Sequence, residues 1–106
     1  FILGMIPEVD TVMRRGEMTA EQEARFRAGL ETALEAGSRV LADGGAALDA
    51  VEAAVRVLED DPSFNAGRGA VLTREGVAEL DASIMEGRER RAGAVAQVRR
   101  VKNPIR

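Results

Sequence analysis

The 106 residues suffice for one domain with a modest core, and an apolar share of 45% fits a folded chain rather than a disordered one. Aromatic residues make up only 3% and Cys and His are absent, so the core has to come from Ala, Val, Leu and Ile. The same absence excludes disulfides, thiol nucleophiles, imidazole bases, the usual zinc sites and a Ser-His-Asp triad within this chain. The net charge of -3 is uneven, because residues 86–106 hold seven basic side chains against two acidic ones. Without an aromatic platform beside it, that basic end reads as a solvated or subunit-facing surface, with no nucleic acid partner.

Residues 1–16 show little pattern beyond the punctuation of Pro7 and Gly16 and are read as a leader. The chain opens on Phe1, which points to a fragment or a processed piece. No apolar run approaches membrane-spanning length, and neither a signal peptide nor a membrane partner is expected. The first clear element starts at "MTAEQ", where Thr19 is placed to cap a helix and Gln22 stands three residues on, as in a capping box. Phe26, Leu30, Ala33, Leu34, Gly37, Val40 and Leu41 then recur at helical spacing, and Gly44-Gly45 ends the run. A second helix is predicted from Ala46 to Glu59, striped by Leu48, Val51, Val55 and Leu58 and lined with alanines that permit close approach. The short connection makes the two a helical hairpin over residues 17–60.

After a Gly-punctuated loop at 61–69, the period becomes two over residues 70–106. "AVLT" reads as a short strand and "REG" as the turn that reverses it. In "VAELDASIM", Ala78, Leu80, Ala82 and Ile84 share one face, while Glu79, Asp81, Ser83 and Met85 share the other. "EGRERR" is a second turn, and "AGAVAQVRRV" is a third strand small enough to be covered on both faces. Two helices followed by antiparallel strands make an α+β layer in a single unit of residues 1–106.

"FNAGRG" could hold a phosphate, hold an ion, or only turn the chain. A phosphate loop leads from a strand into a helix, whereas this loop does the reverse, so nucleotide binding is set aside. Glu79 and Asp81 could divide acid and base roles, although a polar strand face is more often salt-bridged or solvated. Glu59, Asp60 and Asp61 crowd a helix C-terminus, where carboxylates oppose the macrodipole and a cation or Arg would relieve them.

The stretches "GGAALDAVEAAVRVLEDDP", "FNAGRG", "ELDASIM" and "AGAV" resemble, in order and spacing, the isoaspartyl peptidases, or plant-type (type III) L-asparaginases, of the N-terminal nucleophile hydrolases. The likeness runs from Met18 to Ile105, with Met85-Glu86-Gly87 standing where the family usually has Met-Asp-Gly. It implies part of an αββα sandwich, a helix hairpin followed by antiparallel strands, and hydrolysis of side-chain amides or β-aspartyl peptides by a threonine exposed by autoproteolysis. That threonine would lie in a C-terminal β subunit outside this chain, so residues 1–106 alone are expected to be inactive. The resemblance further implies a sodium ion held by the main-chain carbonyls of Leu58, Glu59, Asp61, Phe64, Ala66 and Arg68, and Asn65 as a supporting residue near the nucleophile. It implies no organic cofactor, a homodimer of αβ units, asparagine or a β-aspartyl dipeptide as substrate, and a cytoplasmic location. The alternative is a truncated, non-catalytic relative that acts as a folding or association module.

Overall fold

The computed structural model describes residues 18–106, so the leader expected at 1–16 lies outside the described residues. Helix α1 spans Ala20–Ala42 and α2 spans Ala47–Asp60. The capping box forms as the sequence requires: the Gln22 amide donates to Thr19 Oγ1 at 3.1 Å, and the Thr19 amide to Gln22 Oε1 at 3.0 Å. Two Glu–Arg pairs, 21 with 25 and 23 with 27, brace the exposed face of α1 at i,i+4 spacing. At the far end Gly44 takes φ +81°, which a side chain would resist.

The helices meet on their small residues. Ala33 and Ala50 are buried, and a side chain at Gly37 would stand 3.2 Å from the Ala50 carbonyl. The core of Ala33, Leu58 and Phe64, with Phe26, Ala54 and Val57 around it, lies between α1, α2 and the loop that follows α2. The single apolar stripe expected on α1 is therefore divided. Phe26 and Ala33 face the core, while Leu30, Leu34 and Leu41 are 51%, 70% and 56% exposed. The choice follows from backbone separation, because Gly and Ala let two helices approach more closely than Leu does.

Strand β1 (Leu80–Glu86) pairs antiparallel with β2 (Arg91–Val98), from Glu86 opposite Arg91 to Leu80 opposite Val98. The alternation in β1 is as expected, with Leu80, Ala82 and Ile84 half-buried and Asp81, Ser83 and Met85 exposed. Between Leu80 and Ala82 the register breaks in a bulge, where Gln97 adopts φ +54° and donates its amide to Asp81 Oδ1 at 2.7 Å. "AVLT" is reduced to one bridge, Leu72 with Ala78, closed by the turn at "REG". Thr73 and Val77 close the turn, and Leu72 with Ala78 is the one pair beyond it that bridges. β2 is exposed on both faces except at Val98, so nothing among the described residues covers the strand expected to be buried on both sides. The order is α+β, two helices and then an antiparallel pair, with β1 packed against α2.

Candidate functional site

The loop after α2 is wound tightly and anchored in the core. Asp61 ends the helix, its amide donating to the carbonyls of Val57 and Leu58 at 3.2 and 3.3 Å. Its carboxylate then accepts the Ser63 amide at 2.9 Å, an Asx turn, and its carbonyl accepts the Phe64 amide at 3.2 Å. Phe64 is buried edge-on against Phe26, ring centres 5.5 Å apart. Its ring fits over Gly29, where any β-carbon would stand 2.5 Å from the ring. Beyond it Phe64 and Ala66 accept amides from Ala66 and Gly69 at 2.8 and 2.9 Å, and Gly67–Gly69 forms a 3-10 turn. Asn65 Oδ1 accepts the Val71 amide at 2.9 Å and closes the loop on itself.

Carbonyl oxygens crowd the inside of this curl. Gly67 has φ +45°, and a β-carbon there would stand 2.5 Å from the carbonyl oxygen of Glu59. At Gly69 a β-carbon would stand 2.6 Å from the Pro62 carbonyl and would collide with that of Phe64. One carbonyl thus crowds Gly67 and two crowd Gly69, positions where only glycine leaves space. Leu58, Asp61, Phe64 and Ala66 each already accept an amide, but a carbonyl oxygen has two lone pairs and retains capacity for a cation. The donor set of neutral oxygens suits a hard cation. No group of three or more His, Cys, Asp or Glu side chains able to hold a metal occurs among the described residues.

The carboxylates that the sequence singled out have structural partners. Glu79 is bound by Arg99 through both Nε, at 2.9 Å, and Nη2. Asp81 is spent on the bulge amide of Gln97. The pair that could have divided acid and base roles is therefore salt-bridged and hydrogen-bonded. Asp60 accepts Asn103 Nδ2 at 3.1 Å and pairs with Lys102 Nζ at 3.4 Å. The Asn103 amide holds its carboxyl below the ordinary 3.8, with Lys102 helping against the opposing effect of desolvation. Glu59 is the one buried charged residue among the described residues, 3% exposed, and accepts Asn103 Nδ2 at 3.0 Å and the Ile105 amide at 3.1 Å. Sequence reading placed Glu59 at a crowded helix end but missed its side-chain partners, which lie more than forty residues away. It also missed Gly29, whose only signal was a glycine inside a helical pattern.

The helix hairpin, the carbonyl-lined loop and the antiparallel pair define an α+β piece consistent with part of an N-terminal nucleophile hydrolase fold. The asparaginase family model matches residues 5–106, beginning upstream of Met18, and the chain belongs to that family. It is 51% identical over 89 residues to the isoaspartyl peptidase/L-asparaginase of Bos taurus, covering 84% of this chain and 29% of that protein. To the Homo sapiens protein of the same description it is 47% identical over 91 residues, covering 86% and 30%. To the isoaspartyl peptidase of Escherichia coli it is 47% identical over 91 residues, covering 86% and 28%. The chain thus spans about three tenths of the length of these curated relatives.

Proposed function

We propose that this chain forms the N-terminal portion of an isoaspartyl peptidase/L-asparaginase, an amidohydrolase for side-chain amides or β-aspartyl peptides. The observation that carries the reading is the loop from Leu58 to Gly69, in which a family-like sequence makes a glycine-dependent curl lined by carbonyls. Leu58, Glu59, Asp61, Phe64, Ala66 and Arg68 would hold a sodium ion there through their main-chain oxygens. Bound, the ion would supply positive charge at a helix C-terminus whose last carbonyls have no partners in the helix. Asn65, fixed through Val71, would support the geometry next to the nucleophile.

The nucleophile in this reading is a threonine freed by autoproteolysis on a β subunit, with its own α-amine as base, which needs neither His nor Cys. Asparagine or a β-aspartyl dipeptide would be the substrate, a homodimer of αβ units the working form, and the cytoplasm its place. No helix among the described residues is long and apolar enough to cross a membrane. The test compares chain 1–106 with the full-length protein. The reading expects ammonia release from asparagine, or aspartate release from a β-aspartyl dipeptide, by the full-length protein after self-cleavage and none by residues 1–106. Hydrolysis by residues 1–106 would overturn the external threonine. A reading frame that stops at Arg106 would instead favour a non-catalytic module.

A further inference from the structure

Glu59 faces two ways. Its carbonyl oxygen lies against Gly67 in the loop, and its buried carboxylate holds the segment after β2 through Asn103 Nδ2 and the Ile105 amide. Pro104 and Ile105 are themselves buried. We propose that Glu59 is a positioning residue that joins the loop 58–69 to the segment 103–105, so that order in one is transmitted to the other. The physical reason is the burial of a carboxylate. If the segment lifts away, Glu59 loses both of its donors and exchanges them for water. A carboxylate that moves out to meet that water pulls on the end of α2, and with it on the carbonyl that lies against Gly67. Asp60 reinforces the joint from outside, sharing Asn103 and holding Lys102.

The joint itself does not require the cation; only its consequence for ion binding rests on the reading proposed above. If sodium orders the loop, it must also tighten segment 103–105, and by reciprocity a loosened segment must weaken sodium binding. Hydrogen exchange in the full-length protein tests the joint directly. Asn103→Ala, which lies outside the loop, is expected to speed exchange in peptides spanning 61–69 by about tenfold, as for a lost bond to a charged acceptor. Unchanged exchange at 61–69 would overturn the proposal.

Reversing the donors gives a second measurement. Asn103→Asp sets a carboxylate against Glu59. Combining it with Glu59→Gln lets the new side-chain amide at 59 donate to the new carboxylate at 103, while its carbonyl still accepts from Ile105. The double variant should recover part of the melting temperature lost in Asn103→Asp; additive losses would count against the joint. The melting gain in sodium over tetramethylammonium should require more sodium in Asn103→Ala than in the wild type. If sodium does not raise the wild-type melting temperature, the cation reading fails, while the exchange measurement still decides the joint.

Discussion

At the scale of single residues, shape matters more than charge in the loop. Asp61 uses its carboxylate as a turn acceptor for Ser63, a role that the carbonyl of Asn fills equally well. Gly67 has a positive φ and stands against a backbone oxygen that cannot swing away. Gly67→Val should therefore cost about 1–3 kcal/mol from the forced conformer, and Asp61→Asn about half a kcal/mol or less. Thermal melting of both variants of the full-length protein, in sodium and in tetramethylammonium, checks this. Loss of sodium dependence in Asp61→Asn, with retention in Gly67→Val, would transfer the ion to the carboxylate.

At the scale of elements, the β1–β2 turn shows how a departure from the family pattern is absorbed. Glu86 stands where the family usually has Asp, and its two oxygens accept the amides of Arg88 and Glu89 at 2.8 and 2.9 Å. The longer side chain still caps the turn, which also contains Arg90 at φ +55°. Glu86→Ala should remove both bonds and cost about 1 kcal/mol, the net worth of an exposed hydrogen bond or two. A melting temperature unchanged within error would show that the turn is held by its backbone alone. The bulge at Asp81 works in the same way, a carboxylate satisfying an amide that the ladder has left out.

At the scale of the whole molecule, what is exposed is as informative as what is buried. Leu30, Leu34 and Leu41 form an outward row on α1, and Val95 on β2 is 42% exposed. β2 also has one edge with no strand on it among the described residues. Such surfaces pair or aggregate in water. Residues 1–106 expressed alone should self-associate, as read by light scattering after size exclusion, and Leu34→Lys should lessen it. A sharp monomer peak with well-dispersed amide resonances would show instead that the piece is stable by itself.

Local rules account for much of this fold. Thr19 with Gln22 set the start of α1, Gly44-Gly45 set its end, and the alternation from Leu80 to Met85 set which side of β1 turns inward, while Glu79, expected on the outward face, is half-buried. These are interactions within three or four residues, so the residues that make them are adjacent in the text. The family likeness at "FNAGRG" was legible for the same reason, because its glycines report a local backbone shape. Long-range packing chose which part of the α1 stripe is core, since helix separation depends on the facing alanines of α2. The folded chain alone shows "AVLT" as a single bridge and Gly29 beneath the ring of Phe64. Folding also brought Asn103 and Ile105 to Glu59, because a buried carboxylate must find donors wherever the chain delivers them, and no local pattern in the sequence records that distance.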